Sequence, residues 1–324
     1  MPEPVLEIED LTVRFHLKRG ELTAVDGVSL SIQKGETFGL VGESGSGKTV
    51  TARSIMRLIP IPPGEIANGA IRFEGENVLD KTDAEMRELR GQKIAMVFQE
   101  PMSALNPVFS IGSQIIDALR TNLGMNKQEA RERCIELLQI VGIPSPERRI
   151  KSYVHEFSGG MRQRVMLAMA LSCDPTFLIA DEPTTALDVT IQATILELIE
   201  SMIERFHMSL IFITHNLGVV AHACDNIGVM YASHLVELGT KNEIFRDPQH
   251  PYTIGLLNSI PRLDTQKEFL TPIEGLVCNM LEPPAGCKFH PRCDHAMDIC
   301  GREIPQMKEI APGHFSACHL HEQT

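Results

Sequence analysis

One eight-residue stretch restricts the fold of this 324-residue chain more than any other feature. Residues 42–49 read GESGSGKT, which matches a pattern of glycine, any four residues, then Gly-Lys and Ser or Thr. The apolar run Thr37–Val41 predicts a buried strand before it, and Thr51–Ile59 favours a helix after it. Strand, glycine loop and helix in this order are the context in which the pattern binds phosphate. The sequence therefore predicts an α/β fold built around a phosphate-binding loop.

The residues of this loop have separate expected roles. Glycines let consecutive backbone N–H groups point at a phosphate without a side-chain clash, and the next helix adds the positive end of its dipole. Lys48 is expected to reach the β- and γ-phosphates, and the Thr49 hydroxyl to bind Mg²⁺. A glycine-rich turn that binds nothing is the alternative. The expected nucleotide-binding residues of the loop are Gly42, Ser44, Gly45, Ser46, Gly47, Lys48 and Thr49.

Two acids directly follow a second apolar run. Phe177–Ala180 is typical of a central parallel strand, and Asp181 and Glu182 come next. Open α/β sheets bind ligands at the carboxyl ends of their strands. We therefore expect Asp181 to hold Mg²⁺ through water, and Glu182 to act as a general base or to orient an attacking water. Alone, the pair would be solvated acids at a strand end, but the phosphate loop favours the catalytic interpretation.

A second anion-binding helix start is predicted at Ser158-Gly159-Gly160, before the residues of a long helix. One nucleotide does not need two such loops from the same chain. The simplest interpretation is that these three residues cap the γ-phosphate of an ATP that another subunit holds.

In this order, the motifs resemble those of the ATP-binding subunit of an ABC (ATP-binding cassette) transporter. Residues 42–49 resemble the Walker A motif and Phe177–Asp181 the Walker B strand, with Glu182 as the catalytic glutamate. The family signature usually reads LSGGQ, whereas residues 157–161 read FSGGM. Met161 thus replaces a polar side chain, so no role is expected for it.

The resemblance, which covers about residues 5–320, also implies roles for single residues. Gln99 in VFQEP would be the Q-loop residue that senses Mg²⁺ and the γ-phosphate. His215, which follows an apolar strand, would be the switch histidine that contacts the γ-phosphate, and Ala186-Leu187-Asp188 would be the D-loop. Phe15 would stack on adenine, although an aromatic residue in an alternating run also packs within a strand.

The resemblance implies a P-loop NTPase cassette with a RecA-like core, a helical subdomain and a small loop-rich, cysteine-containing C-terminal domain. We expect the nucleotide-binding domain at residues 1–240, its helical subdomain at about 100–165, and the C-terminal domain at 241–324. The segment Asn126–Ile143 shows helical apolar spacing. The predicted buried positions are Ala130, Cys134, Leu137, Leu138 and Val141.

Four cysteines near the C-terminus, at 287, 293, 300 and 318, have the spacing C-x5-C-x6-C-x17-C. Four thiolates suit a [4Fe–4S] cluster or Zn²⁺, and thiols without a metal are a third interpretation. The gaps are wider than those of common zinc knuckles, which favours the cluster. His290, His295 and His319 are candidate substitute ligands, and Lys288 and Arg292 candidate counter-charges for the thiolates. Cys134, Cys173 and Cys224 are expected in the core.

The stretch His250–Asp264 and this cysteine-containing tail resemble oligopeptide, dipeptide and nickel importer ATPases. Peptide import is therefore the expected function, with nickel or another small solute as the alternative cargo. A soluble ABC ATPase and a metal-sensing regulator are the rivals from other classes. The sequence HPYT at residues 250–253 has a plainer interpretation, a helix start packed by an aromatic ring.

The expected partners follow from the resemblance. They are a second ATPase subunit, identical or a paralogue, two transmembrane permease subunits and an extracytoplasmic substrate-binding protein. The segment Phe98–Gly112 is where the family receives the permeases, but Met102, Leu105 and Phe109 could instead be core.

A net charge of −12 argues against a nucleic-acid partner. No window approaches the roughly 18 apolar residues of a membrane span, and no secretion signal is visible. Peripheral attachment at the cytoplasmic face of the cell membrane is the expected location.

Overall fold

The chain forms two compact units in a computed structural model. The described residues are 3–185, 187–259 and 273–322. One unit comprises residues 1–79 and 213–324, and the other comprises residues 80–212. The first unit therefore contains both the phosphate loop and the described part of the tail. The domain boundary expected at residue 240 stays a prediction.

The elements are numbered along the chain. The strands are β1 (Pro4–Leu17), β2 (Gly20–Gln33), β3 (Thr37–Val41), β4 (Gly64–Phe73), β5 (Glu76–Asn77), β6 (Ile94–Val97), β7 (Phe177–Asp181), β8 (Ser209–Thr214), β9 (Asn226–Tyr231), β10 (His234–Thr240), β11 (Lys308–Ala311) and β12 (His314–Ser316). The helices are α1 (Lys48–Ile55), α2 (Asp83–Gln92), α3 (Pro101–Ala104), α4 (Ile111–Leu123), α5 (Lys127–Ile140), α6 (Pro146–Arg149), α7 (Gly159–Ala170), α8 (Val189–Phe206), α9 (Leu217–Ala223), α10 (Lys241–Arg246) and α11 (Pro251–Asn258). In the described part of the chain, no helix has the length and apolar character needed to cross a membrane.

An antiparallel sheet of the first unit has the strand order β2-β1-β4-β5. Alternation along β1 buries Leu6 and Ile8, and after a register shift it buries Leu11 and Val13. Asp10 lies within that irregularity with a positive φ of 46°. The extra residue moves the apolar side chains after it back onto the core face.

The remaining strands of this unit have the order β11-β12-β10-β9-β3. β3 is parallel to β9, whereas the other neighbouring pairs are antiparallel. The predicted strand Thr37–Val41 is confirmed as β3, and the tail strands β11 and β12 extend the same sheet beyond β10. The chain that carries the cysteines is therefore hydrogen-bonded to the sheet that begins the phosphate loop.

In the second unit the strand order is β8-β7-β6, and β6 and β7 are parallel. The helical segment predicted at Asn126–Ile143 forms α5, which Asn126 begins by accepting hydrogen bonds from the backbone N–H groups of Gln128 and Glu129. The Glu129 carboxylate completes the capping box. All five predicted apolar positions of this segment are at most 1% exposed.

The helix after the phosphate loop begins and ends earlier than predicted. The sequence favoured Thr51–Ile59, but α1 begins at Lys48 and ends at Ile55. Arg57 has a positive φ of 46°, and its neighbour Leu58 donates from its backbone N–H to the Arg53 carbonyl. This is the usual geometry of a helix end, and prolines follow within a few residues.

A buried carboxylate anchors the tail of the first unit. Glu237 on β10 is 0% exposed and accepts hydrogen bonds from the backbone N–H groups of Gln249, at 2.7 Å, and His250, at 3.0 Å. Its Oε1 is also 2.8 Å from Nε2 of His314 on β12. Buried polar groups are stable only when paired, so Glu237 fixes both ends of the tail segment to β10.

The HPYT sequence begins α11, as predicted. The ring Nδ1 of His250 accepts from the backbone N–H of Tyr252, and Pro251 occupies the first turn. Tyr252 is fully buried, with its ring centroid 4.6 Å from that of Tyr231 and 5.4 Å from that of Phe289. The rest of the predicted segment His250–Asp264, from residue 260 onward, lies outside the described residues.

Candidate active site

The phosphate loop joins β3 to α1. It contains two glycines at which any other residue would force neighbouring backbone atoms to move. Gly42 has φ 151°, and a Cβ there would lie 2.1 Å from the carbonyl oxygen of Met230. Gly47 has φ 104°, and its Cβ would lie 2.4 Å from the carbonyl oxygen of Ala24. Both values are too close for real Cβ atoms, and both φ angles favour glycine. The predicted strand, loop and helix context is confirmed.

The ammonium of Lys48 lies inside this loop. Its Nζ donates to the carbonyls of Gly42, at 2.8 Å, and Glu43, at 2.9 Å, and lies 3.3 Å from Oγ of Ser46. Lys48 is 4% exposed, whereas Ser44 and Gly45 are exposed and Thr49 is half-buried. A buried cation and a helix N-terminus at the same loop can attract a phosphate.

Phe15 and His215 also belong to the first unit. Phe15 lies on β1, pairs with Leu22 and Gly64 across the sheet, and is half-buried. His215 is exposed and directly follows β8, and Asn216 caps α9. The structure thus places His215 at a strand end as predicted, and its role as a switch histidine stays a prediction. The packing and stacking interpretations of Phe15 both stay open.

In the second unit, the parallel strands β6 and β7 bring Gln99 to Glu182. Val97 pairs with Ala180, so both chains leave the sheet at its carboxyl edge. The Gln99 Nε2 donates to Oε2 of Glu182 at 3.2 Å, and the Thr185 hydroxyl donates to the same oxygen at 2.8 Å. The Glu182 carboxylate is thereby oriented by two donors.

The backbone at Glu182 also has an unusual conformation. Glu182 has a positive φ of 47°, which is uncommon for a residue other than glycine and tends to occur at functional sites. Asp181, the last residue of β7, is 2% exposed. A buried aspartate and a strained, half-buried glutamate therefore follow each other at this strand end, and their metal-binding and base roles stay predictions.

The signature residues begin α7. The Ser158 hydroxyl accepts from the backbone N–H of Met161 and caps this helix, as predicted. A Cβ at Gly160 would lie 2.7 Å from Cγ2 of Ile191 on α8, and one at Gly159 would lie 3.7 Å from Leu187. The two glycines therefore face the start of α8.

The expected D-loop residue Asp188 caps α8 by accepting from the backbone N–H of Ile191 at 3.1 Å. Asp188 therefore stabilises the start of α8 within its own chain, without any contribution from a partner. Ala186 of the same expected motif lies outside the described residues.

Sequence reasoning missed two contacts of the phosphate loop, because HPYT indicated only a helix start packed by a ring and no motif includes Arg292. The hydroxyl of Tyr252 accepts from the backbone N–H of Glu43 at 2.9 Å, and Arg292 forms an ion pair with the Glu43 carboxylate at 2.8 Å. These residues are 209 and 249 positions from Glu43 along the sequence, so only the fold could reveal the contacts. Burial raises the pKa of the Tyr252 hydroxyl, which therefore stays protonated.

The cations expected to offset thiolate charge have other partners. Arg292 pairs with Glu43, and Lys288 pairs with Asp26 at 3.2 Å. Both side chains are almost buried, at 6% and 7% exposed, and a buried cation is stable beside a carboxylate. The expectation for these two residues is therefore corrected.

Cys287, Cys293, Cys300 and Cys318 line one cavity and are free thiols. The same cavity is lined by His290, His295 and His319, the candidate substitute ligands. Burial raises the pKa of Cys287 and Cys293, and raises that of Cys318 to about 11. Within residues 3–185, 187–259 and 273–322, no group of three or more His, Cys, Asp or Glu side chains has the arrangement that would hold a metal ion.

Of the three cysteines that were predicted in the core, Cys134 and Cys224 are buried there. Cys134 and Cys224 are at most 1% exposed, and burial raises the pKa of Cys134 to about 12. Cys173 is half-buried. Buried thiols of this kind pack as small apolar groups.

Two family models match the chain. The model of the ABC transporter matches residues 25–185, and that of the oligopeptide/dipeptide transporter C-terminal region matches residues 236–300. The dipeptide transport ATP-binding protein DppD of Bacillus subtilis (strain 168) is 49% identical over 321 residues, 99% of this chain and 96% of that protein. The oligopeptide transport ATP-binding protein OppD of Salmonella typhimurium is 47% identical over 320 residues, 98% of this chain and 95% of that protein.

Solved structures resemble the same part of the chain. The dimeric ATP-binding cassette MJ0796, in a post-hydrolysis state with ADP and Pi, has a TM-score of 0.65 and 25% identity, over 73% of this chain and 98% of that one. CbiO1 of Clostridium perfringens, part of an ABC transporter complex, has a TM-score of 0.64 and 26% identity, over 76% of this chain and 92% of that one. The cassette fold therefore extends over about three quarters of the chain.

Proposed function

We propose, from the premise that this chain belongs to the ATP-binding subunits of ABC transporters, that it hydrolyses ATP to power the import of di- or oligopeptides. The observation that carries the proposal is that a single chain joins a complete phosphate loop to a tail of the oligopeptide/dipeptide transporter type. The relatives with this combination are dipeptide and oligopeptide transport ATP-binding proteins along nearly their whole length. Nickel or another small solute is the alternative cargo.

In this proposal the first unit binds the nucleotide. Backbone N–H groups of residues 42–49 surround the β- and γ-phosphates, Lys48 neutralises their charge and the Thr49 hydroxyl binds Mg²⁺. Phe15 stacks on the adenine ring, and His215 contacts the γ-phosphate. The buried ammonium of Lys48, already oriented by two carbonyls of the loop, supports this assignment.

The second unit supplies the catalytic carboxylate. Glu182 orients the attacking water or accepts its proton, Asp181 holds Mg²⁺ through water, and Gln99 senses the metal and the γ-phosphate. The support is the hydrogen bond from Gln99 to Glu182, at 3.2 Å, because a metal that attracts the Gln99 amide oxygen would reorient the donor of this bond.

The signature residues are proposed to act on a second subunit. Ser158, Gly159 and Gly160 would cap the γ-phosphate of an ATP held by the phosphate loop of a partner, and Asp188 would lie near the same interface. ATP binding would then close a head-to-tail pair of cassettes, identical or paralogous. The dimeric state of the similar cassette MJ0796 supports a paired arrangement.

Replacement of one carboxylate tests the catalytic assignment. Glu182→Gln is expected to keep ATP binding and to lower turnover of the assembled transporter by more than about 100-fold, because the general base is lost. Glu204→Gln, which changes an exposed acid of α8, should leave both quantities unchanged. Substantial hydrolysis by Glu182→Gln would contradict the proposed role.

Transport in proteoliposomes tests the cargo. The complex with its permeases and binding protein should accumulate a labelled dipeptide or oligopeptide when ATP is supplied. Accumulation of nickel without peptide would favour the alternative cargo, and a chain that purifies without membrane subunits would favour a soluble ABC ATPase.

An exposed apolar patch of the second unit supports docking of the permeases. Met102, Val108 and Phe109 are 45%, 74% and 54% exposed, whereas Leu105 is 1% exposed and belongs to the core. Neighbouring exposed apolar side chains are typical of an interface. We expect Phe109→Asp to reduce co-purification of the permeases while nucleotide binding is kept. Unchanged co-purification would exclude this patch.

We also propose that Cys287, Cys293, Cys300 and Cys318 hold a [4Fe–4S] cluster, with Zn²⁺ as the alternative. Two observations support it, the common cavity of the four thiols and the absence of disulfides among the described cysteines. Soft thiolate ligands suit both groups, and a bound metal would deprotonate thiols whose pKa burial has raised. The group would connect tail segments that have little core of their own.

Chemical analysis of anaerobically purified protein tests this assignment. About four iron and four sulfide per chain are expected for a [4Fe–4S] cluster, and about one zinc for the alternative. Cys293→Ser should lose the metal, whereas Cys278→Ser, which changes a thiol outside the cavity, should keep it. Metal-free protein from anaerobic cells would contradict both forms of the proposal.

A further inference from the structure

Glu43, the second residue of the phosphate loop, uses all of its polar atoms in contacts within the first unit. Its carbonyl accepts from the Lys48 ammonium at 2.9 Å. Its backbone N–H donates to the Tyr252 hydroxyl at 2.9 Å. Its carboxylate accepts two hydrogen bonds from Arg292, at 2.8 Å and 3.2 Å. Glu43 therefore links the ammonium of the loop to two residues of the tail.

Arg292 is itself held in a single position. Its Nε donates to the carbonyl of Glu274 at 2.9 Å, and the guanidinium also lies 3.3 Å from the Tyr231 hydroxyl. The guanidinium carbon lies 5.7 Å from the ring centroid of Tyr231 and 5.9 Å from that of Phe289. A guanidinium that is fully hydrogen-bonded, stacked on rings and 6% exposed has little freedom to move.

The Tyr252 hydroxyl is fixed in the same way. Its ring packs against Tyr231 and Phe289 in a buried cluster, and its backbone N–H is bound by the His250 ring that begins α11. The acceptor that Tyr252 presents to the loop is therefore part of a rigid body. Tyr252 and Arg292 approach Glu43 from separate segments of the tail.

We propose that Arg292 and Tyr252 are positioning residues for the phosphate loop and that they set its affinity for nucleotide. They fix Glu43, and the Glu43 carbonyl in turn fixes the direction of the Lys48 ammonium. We call these two residues and Glu43 the tail clamp. Through the clamp, the C-terminal segment takes part in the nucleotide site without touching the nucleotide.

Charge gives the clamp a second effect. The Glu43 carboxylate lies on a loop that binds a polyanion, and Arg292 neutralises it with a bidentate pair. Without Arg292, an uncompensated negative charge would remain beside the phosphates and oppose their binding. Removal of the Glu43 charge should therefore reverse part of that loss.

Binding of a fluorescent ADP analogue to the full-length chain tests the clamp. Arg292→Gln should weaken binding about tenfold, since it truncates the buried partner of a partly exposed charge pair. The double variant Arg292→Gln/Glu43→Gln should recover to within about threefold of the wild type, because the repulsion is removed. In the assembled transporter, Arg292→Gln should raise the KM for ATP and leave kcat within about twofold of the wild type.

Lys288→Gln is the matched control. Lys288 also ties the tail to a carboxylate of the first unit, is 7% exposed against 6% for Arg292, and has its partner Asp26 outside the phosphate loop. Nucleotide affinity should not change in this variant. Should Arg292→Gln fail to fold, Arg292→Lys keeps the charge but loses the two parallel N–H donors of the guanidinium. This variant should bind the ADP analogue about threefold more weakly than the wild type.

Two results would overturn the clamp: unchanged affinity in the foldable Arg292 variant, or equal weakening by Lys288→Gln. A double variant as weak as the single one would overturn the charge effect and leave positioning as the whole influence of Arg292. The inference rests on the proposed nucleotide site, and the two fail separately. A wild-type chain that bound no ADP would contradict the site itself, whereas binding that the Arg292 variants leave unchanged would overturn the clamp alone.

Discussion

The phosphate loop and the tail lie in the same unit of the molecule but are held in shape by opposite means. Residues 42–49 owe their conformation to the backbone, since Gly42 and Gly47 take φ angles of 151° and 104° where a Cβ would collide with carbonyl oxygens. The part of the tail at residues 273–322 has only two short strands and single turns of helix. Side-chain pairs hold it to the rest of the unit, the buried pair of His314 with Glu237 and the partly buried pair of Lys288 with Asp26.

The two regions are therefore expected to be sensitive to different substitutions. A single added carbon should damage the loop, because its shape depends on close backbone contacts. A single changed charge or hydroxyl should damage the tail, because its shape depends on buried polar pairs that are costly to leave unpaired. Three substitutions, taken in order of expected effect, test whether this division is correct.

Gly42→Ala should have the largest effect. The new Cβ would lie 2.1 Å from the carbonyl oxygen of Met230, so the loop or β9 must move, and φ 151° is itself unfavourable for alanine. We expect a loss of about 4 kcal/mol in the free energy of unfolding, from strain and overpacking together. Urea denaturation of the full-length chain measures it.

Gly35→Ala is the control for this substitution. Gly35 also has a positive φ, of 79°, but a Cβ there would meet no atom within 4 Å. Its cost should be only about 1 kcal/mol, from backbone strain without a clash. Equal losses in the two variants would contradict the role assigned to close contact in the loop.

The same division explains what the sequence could predict. The strand Thr37–Val41, the helix cap at Ser158 and the five buried positions of the segment Asn126–Ile143 are local patterns, and the structure confirms each of them. The end of the helix after the loop was predicted too late, since the left-handed turn at Arg57 gives no clear signal in a run of helix-forming residues.

Contacts between distant residues could not be predicted. The pairing of Arg292 with Glu43 depends on how two segments meet, and the sequence gives both residues the ordinary appearance of solvated charges. For this reason Arg292 was expected to face the thiolates instead. The hydrogen bond from Gln99 to Glu182 was partly predictable from the sequence, because residues that follow two parallel strands share one edge of the sheet.

Glu237→Gln should have an intermediate effect. Both carboxylate oxygens of Glu237 accept from N–H donors in a site that is 0% exposed, so an amide NH₂ would face one of these donors. We expect a loss of about 2 kcal/mol in the free energy of unfolding, the cost of a buried donor without an acceptor. Thermal or urea unfolding of the full-length chain, monitored by a signal from the tail, measures this loss.

Glu65→Gln is the matched control for Glu237→Gln. Glu65 lies 2.8 Å from a ring nitrogen of His16, the same distance as between Glu237 and His314, but both side chains are more than half exposed. Its effect should be within about 0.5 kcal/mol, as for most exposed pairs. A Glu237 variant as stable as the Glu65 variant would show that the tail does not depend on its buried polar pairs.

Tyr252→Phe should have the smallest effect and connects the two regions. The substitution keeps the ring in its buried cluster and removes only the oxygen that accepts from the Glu43 backbone N–H. Affinity for the ADP analogue should fall about threefold, the loss of one ordinary hydrogen bond, with little change in unfolding. Tyr231→Phe removes a hydroxyl from the same cluster that contacts Arg292 rather than the loop, so its effect should be smaller. Equal weakening by both variants would mean that the packing of the rings, and not the contact with the loop backbone, carries the influence of the tail on nucleotide binding.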